Sequence, residues 1–231
     1  MQLSVTDAAS ILNVSEKTIY RWLKQGHLPS QSVNDQHRFN RAELLEWATS
    51  RGIPVSEGIM ADEDAPSGLV SLAEAIELGG VHGDVAGVDK DGVLRAVIAR
   101  MPFPVEVDRE ALLQVLLARE SMGSTGIGNG IAIPHVRNPI VLHVPKALVS
   151  LCFLRQPIEF GAVDGQPVHT VFAIISPSIK GHLHLLSRLA LALKHGGFAE
   201  ALARKAAPAE VLAQCRLAEA RSPKPQPGNE G

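Results

Sequence analysis

GSTGIGNGIAIPH, residues Gly123–His135, is the stretch on which the reading of the larger part of this chain turns. Glycines, two hydroxyls and an amide precede an apolar triplet, and a single histidine closes it. A phosphate-cradling loop of the usual kind continues with Lys and Ser/Thr after its last glycine; here Ile131 and Ala132 follow Gly130. The stretch is therefore either a plain turn or a loop whose phosphate belongs on the histidine. Ile131-Ala132-Ile133 reads as a strand, Pro134 as the end of its pairing, and His135 as a residue at the strand edge. Arg119 ends the helix just before the loop. A histidine, an arginine, the hydroxyls of Ser124 and Thr125 and the backbone N–H groups around Gly126 thus converge. Such a set suits a doubly charged phosphoryl group, because N–H groups and hydroxyls donate and a guanidinium forks onto the oxygens. A neutral imidazole can accept that group as a nucleophile.

Around this stretch helical and strand periods alternate. Asp89–Met101 and Asp108–Ser121 carry apolar residues at helical spacing. Ile131–Ile133, Ala147–Leu154 and Val168–Ile175 are short apolar runs bounded by Gly and Pro, as strands are. A helix follows from about Gly181 to His195, and shorter ones over Phe198–Arg204 and Pro208–Ala218. The alternation predicts a layered α/β domain with a mixed sheet and helices on both faces. About 150 residues bury roughly two-thirds of their unfolded surface, enough to fold alone. On the long helix His182 and His184 lie about 200° apart, so only one faces inward. His182 shares its face with Leu185, Leu186, Leu189 and Leu193 and is the candidate partner of His135; His184 lies with Arg188. The alternative for His182 is a core histidine, and for Arg119 a solvated helix end.

Composition bounds the rest. The chain has 231 residues, 45% hydrophobic, 20% charged and 4% aromatic, with a formal charge of −2. This is ordinary globular material with an aliphatic core, and any attraction to nucleic acid must be local. Cys152 and Cys215 lie in apolar sequence and read as reduced core thiols of a cytoplasmic protein. MQLSVTDAAS lacks the design of a signal peptide, and no apolar run approaches about 18 residues, so no membrane association is expected. His135, His182 and His169 lack carboxylates at ligand spacing, so neither a metal nor a cofactor is expected. Ile53–Gly68, with two prolines and four acidic residues, reads as a linker, and Ser222–Gly231 as a disordered tail. These breaks delimit a small unit at 1–52, a linker at 53–68, a larger unit at 69–221 and a tail at 222–231.

In the small unit, Thr6 is the expected cap of a short helix carrying Ala8, Ala9, Ile11 and Leu12. Asn13-Val14-Ser15 is a tight turn. Ser15 caps a second helix that buries Ile19, Trp22 and Leu23, and Gly26 ends it as a C′ glycine. Its other face shows Lys17, Thr18, Tyr20, Arg21 and Lys24. Asn34-Asp35 then turns a small hairpin carrying His37 and Arg38, and a helix runs from Arg41 to Trp47. From Lys17 to Arg41 there are five Lys/Arg against one acidic residue, but over 1–52 five acidic residues nearly cancel six basic ones. A monomer would bind DNA weakly and with a steep salt dependence, and sequence-specific work calls for a homodimer or a partner. The same face also fits a module that docks protein.

Two resemblances follow. LSVTDAASILNVSEKTIYRWLKQGHLP with HRFNRAELLEW resembles the winged helix-turn-helix of the MerR and excisionase families. It implies that the helix from Ser15 to Gln25 enters the major groove, with Lys17, Thr18, Tyr20, Arg21 and Lys24 facing DNA, and that the wing with His37 and Arg38 touches backbone. ESMGSTGIGNGIAIPH with HLHLLSRLA resembles the enzyme IIA domain of the fructose–mannitol–nitrogen class of the bacterial phosphotransferase system, over about 69–216, in its nitrogen-regulatory form. It implies that His135 is phosphorylated on Nε2 by a histidine-phosphorylated carrier of the HPr or NPr type. It also implies Arg119 as charge clamp, His182 as second histidine, and a phosphoryl carrier rather than a turnover enzyme. Val136-Arg137 departs from the small residue and basic residue usual after that histidine, and puts bulk beside it. With no carrier B or membrane C domain in these residues, the expected output is regulatory. Phosphorylation either gates transcription through the N-terminal unit or gates an adaptor that binds a kinase or transporter.

Overall fold

The computed structural model describes residues 2–33, 36–51, 53, 69–105, 107–136, 144 and 146–221. The Asn34-Asp35 turn, the linker after Ile53, Arg137 and the tail lie outside them. The chain divides into two compact units with the boundary between Gly68 and Leu69.

The first unit holds β1 (Gln2–Leu3), α1 (Val5–Ile11), α2 (Glu16–Lys24), β2 (Gln31–Val33), β3 (Gln36–Asn40) and α3 (Arg41–Ser50). Ser4, not Thr6, caps α1. Its hydroxyl accepts from the Asp7 N–H while the Asp7 carboxylate takes the Ser4 N–H, a reciprocal capping box. Thr6 instead donates its hydroxyl to Glu16 at 2.7 Å and ties α1 to α2. Asn13 takes the left-handed conformation (φ 49°) between the helices. Ser15 caps α2 as its position indicates. The helix ends in a Schellman motif: Gly26, at φ 67°, donates to Leu23, and His27 donates to Trp22. Of the expected inner face only Ile19 is fully buried. Trp22 and Leu23 are half-buried, because Trp22 packs edge-on against Trp47 of α3 at 5.1 Å instead of entering a deep core. Strands β2 and β3 form an antiparallel hairpin and β1 pairs on the far side of β3. The unit is a helix-turn-helix with a small wing.

The second unit holds α4 (Leu72–Gly79), β4 (Val81–Val85), α5 (Lys90–Arg100), α6 (Arg109–Ser121), β5 (Gly126–Gly128), β6 (Ile131–Ala132), β7 (Leu148–Ile158), β8 (Val168–Ile175), α7 (Ile179–Ala192), α8 (Gly196–Ala203) and α9 (Pro208–Arg221). Side-chain caps start the helices: Ser71 for α4, Asp89 for α5, Asp108 for α6 and Ser178 for α7. The five-stranded sheet runs β4-β7-β8-β6-β5. Its β4–β7 and β6–β8 pairs are parallel and its β7–β8 and β5–β6 pairs antiparallel. Strands β7 and β8 are apolar on both faces. Leu148, Cys152 and Leu154 join Val171 and Ala173 in a core under α5 and α6. Val149, Leu151 and Phe153 join Phe172 and Ile174 in a second core under α4, α7, α8 and α9. Helices on both faces of a mixed sheet are what the alternating periods predict. Elements α4, β4 and β5 were not legible: Val81–Val85 contains His82, Gly83 and Asp84, and β5 is largely glycine.

The glycine-rich stretch is a hairpin. Asn129 and Gly130 both take positive φ (52° and 71°), the signature of a two-residue type I′ turn joining β5 to β6. The turn leans on two neighbours. Asn129 donates its N–H to Asp164 at 2.8 Å, and a Cβ at Gly130 would stand 2.3 Å from the His169 ring. Gly130→Ala therefore combines a left-handed backbone with a steric overlap, and should cost about 2 kcal/mol. The thermal midpoint of the larger unit is expected to fall by about 4–8 °C; an unchanged midpoint would show that the turn tolerates a side chain.

Candidate functional site

Pro134 does not end the pairing of β6. Its ring removes a donor and nothing else, and its carbonyl still accepts the Ile174 N–H at 3.0 Å. His135 then forms a parallel bridge with Ile174. Register therefore carries past the proline and fixes which face each side chain takes. Ala132 and Val136 enter the core under α5 and α6, and Ile133 enters the core under α7. His135 turns toward α7, where its ring centroid lies 5.0 Å from that of His182, the planes inclined by 35°. Both imidazoles are buried, at 4% and 2% exposure. Val136 is a core residue of the opposite layer, so its bulk points away from the His135 ring instead of standing beside it as the sequence alone suggests.

The tautomer of His135 follows from its contacts. Its Nδ1 lies 2.8 Å from the Ile133 carbonyl oxygen. A carbonyl only accepts, so Nδ1 carries the proton and, in the neutral ring, Nε2 carries the lone pair. His182 sits in the first turn of α7, where the helix dipole favours negative charge. Leu185, Leu186 and Leu189 share its buried face as the helical spacing indicates, while His184 is half-buried on the other side.

The loop residues are placed differently from the expectation. Ser124 donates its hydroxyl to the Phe160 carbonyl at 2.6 Å and accepts the Gly126 N–H at 3.0 Å. Thr125 gives both its hydroxyl (2.6 Å) and its N–H (3.0 Å) to Glu120. These donors hold the hairpin in shape and are not left over for a phosphoryl group. Gly126 is required for another reason: a Cβ there would meet the Ala162 backbone and side chain at 2.8 Å. Arg119 donates from Nη1 to the Gly123 carbonyl at 2.9 Å, which lays its guanidinium against the first residue of the loop.

Sequence reasoning missed Glu120. It is 6% exposed and meets Lys90 Nζ at 3.0 Å. Its identity was on view in the quoted motif, but a glutamate in a last helical turn reads as solvated, and only burial tells otherwise. The cysteines are core residues, and burial pushes both thiols up to about 12. Among the described residues no group of three His, Cys, Asp or Glu stands together as a metal site would require, and no helix is long and apolar enough to cross a membrane.

Two other histidines link this unit to pH. Burial lowers the pKa of His184, with Arg188 adding to the shift and Glu219 opposing it; burial, then Lys205, lowers that of His169. Each starts from 6.5 in the unfolded chain. Below that value the unfolded chain takes up protons the folded chain resists, so stability is full above 6.5 and lost as pH falls through the folded values. The urea midpoint of the larger unit is expected to drop between neutral and mildly acidic pH; a flat profile there would contradict the lowered pKa that partial burial gives both rings.

In the first unit Lys17, Arg21 and Lys24 are exposed along α2, and Tyr20 is 52% exposed. The Tyr20 ring meets the His37 ring edge-on at 6.5 Å, joining the helix face to the wing. Thr18 shares its hydroxyl with Ser15 in the helix cap, and Arg38 donates to Gln36 at 2.7 Å, so these two are partly committed within the unit.

A mixed sheet covered by helices on both sides, with a histidine pair where the chain runs on from β6 beside β8, defines the class of the larger unit. The chain belongs to the phosphoenolpyruvate-dependent sugar phosphotransferase system EIIA 2 family, whose model matches residues 77–216, more than half its length. A helix-turn-helix domain model matches residues 3–52. The nitrogen regulatory protein of Pseudomonas aeruginosa is 33% identical over 150 residues, covering 63% of this chain and 94% of that protein. That of Escherichia coli is 45% identical over 83 residues, which span 50% of its length and 35% of this chain. The crystal structure of nitrogen regulatory protein IIA-Ntr from Neisseria meningitidis superposes with a TM-score of 0.55 at 29% identity, covering 62% of this chain and 98% of that one. Membership in this family agrees with the resemblance carried by the histidine motif.

Proposed function

We propose that this protein is a regulatory phosphocarrier that accepts a phosphoryl group on Nε2 of His135 and couples its phosphorylation state to transcription through the helix-turn-helix unit. The observation that carries the first half is the 2.8 Å contact between His135 Nδ1 and the Ile133 carbonyl, with the His182 ring centroid 5.0 Å away. The donor is a histidine-phosphorylated carrier protein of the HPr or NPr type. Nε2 attacks the phosphorus, the donor's N–P bond breaks, and the donor imidazole leaves with the electron pair. The positive charge that develops on the His135 ring is held by the Nδ1–H bond to Ile133. Arg119 balances the charge of the phosphoryl oxygens, and His182 lies where a second imidazole can share them. Phosphorylation adds close to two negative charges and resets what docks at this site.

The second half rests on α2 and its wing. Three exposed cations and Tyr20 line the helix face, the arrangement of a recognition helix in a major groove, with His37 and Arg38 placed at the backbone. The near balance of charge over residues 1–52 keeps binding modest and favours action as a homodimer or beside a partner. The test is twofold. Labelled phosphate should pass from phosphorylated HPr or NPr to the full chain, and retention on DNA should fall steeply with salt. Label without DNA retention would leave an adaptor that binds a kinase or transporter and uses the helix-turn-helix to dock protein; no label with either carrier would overturn the carrier chemistry itself.

A further inference from the structure

We infer that Glu120 is a positioning residue for His135, acting through Thr125 and the Ile133 peptide; its consequence for phosphoryl transfer rests on the function proposed above. A carboxylate with 6% exposure at the end of α6 is an expensive feature, since burying an ion costs more than burying an apolar side chain of the same size. Its two oxygens are fully used. Oε1 takes Lys90 Nζ at 3.0 Å, and Oε2 takes both the N–H and the hydroxyl of Thr125. Lys90 is itself placed over the Phe160 ring, 5.2 Å from its centroid. Phe160 in turn accepts the Ser124 hydroxyl.

Thr125 is where this anchor meets the histidine. Its carbonyl accepts the Ile133 N–H at 3.0 Å, closing the base of the β5–β6 hairpin. Ile133 then accepts from His135 Nδ1, and Pro134 accepts from Ile174. The Ile133 carbonyl is thus clamped between two fixed hydrogen bonds, one leading to Glu120 and one to β8. Its direction decides which imidazole nitrogen holds the proton. The chain of contacts is geometric rather than electronic: the N–H and the carbonyl of Thr125 belong to different peptide groups, so charge on Glu120 does not polarise the Ile133 bond directly. Releasing Thr125 lets the hairpin base move, and the Ile133 carbonyl with it.

The test uses the full chain labelled with nitrogen-15. Long-range proton–nitrogen spectra recorded above neutral pH should show native His135 protonated at Nδ1 and not at Nε2. Glu120→Gln keeps the size and one acceptor oxygen but loses the ion pair with Lys90. It is expected to give a mixture of tautomers and a rate of transfer from the phosphorylated carrier about 10- to 100-fold lower, the scale of a catalytic group misplaced by an ångström. Thr125→Val should do the same, while Thr125→Ser, which keeps the hydroxyl, should restore the native spectrum and rate. That pair decides the matter if Glu120→Gln does not fold. Native tautomer and native rate in folded Glu120→Gln, or in Thr125→Val, would overturn the positioning role. A tautomer shift in the variants, with no label taken up even by the native chain, would support the positioning role while refuting the proposed function.

Discussion

His135→Ala is expected to take up no phosphoryl group from phosphorylated HPr or NPr while keeping its fold. The label on the native chain should be acid-labile and alkali-stable, as a phosphoimidazole is. Removing the ring removes the only Nε2 that the Ile133 carbonyl holds in the attacking tautomer. His182, though 5.0 Å away, lies on a helix whose backbone is fixed by its Ser178 cap, so it does not move into the vacated place. The structural cost leaves the fold standing. The Ile133 carbonyl loses its partner and the buried ring leaves a gap, together about 2–4 kcal/mol, but Ala132, Ile133 and Val136 keep their places in two separate cores. Thermal unfolding should therefore drop by about 4–16 °C while remaining a cooperative transition. His182→Ala should behave differently, slowing transfer without abolishing it, because the acceptor nitrogen remains. Label retained in His135→Ala would place the acceptor elsewhere and refute the site.

Arg21→Ala combined with Lys24→Ala is expected to abolish retention of the protein on DNA at physiological salt. Both side chains are exposed on α2, one turn of helix apart, and neither supports the unit's core, which rests on Ile19, Leu44 and Phe39. Removing one cation from a DNA phosphate should make the plot of log affinity against log salt shallower by about 0.9, so the slope of the double variant should be shallower by about 1.8. The unit has few cations to spare, since its five acidic residues offset most of the six basic ones. Unchanged retention, or retention that never depended on salt, would assign this face to a protein partner.

The sequence was informative where a local rule is strict. Ser15 and Gly26 bracket α2 because a hydroxyl cap and a left-handed glycine are needed at those places. Val168–Ile175 is a strand to its last residue because an apolar run of that length, rich in β-branched residues, fits only a sheet covered on both faces. It misled where two local rules compete. Ser4 and Thr6 are both capping residues, and the choice fell to Asp7, which stands three residues after Ser4 and completes the box. The glycine-rich stretch has the composition of a phosphate cradle, but Asn129-Gly130 is also the strongest hairpin turn signal, and the hairpin formed.

The chain by itself determined the histidine motif, the alternation that makes an α/β layer, and the separate helix-turn-helix pattern at the N-terminus, because each depends on spacing within a few residues. Tertiary structure alone decided that Pro134 leaves the β6–β8 register intact, that His135 and His182 share one side of the sheet while Val136 takes the other, and that Glu120 is buried rather than solvated. These depend on packing between segments far apart in the chain: β6 with β8, the sheet with α7, and α6 with Lys90 of α5. No local period encodes such packing, and it is this that sets the proton on Nδ1 of His135 and leaves the lone pair on Nε2.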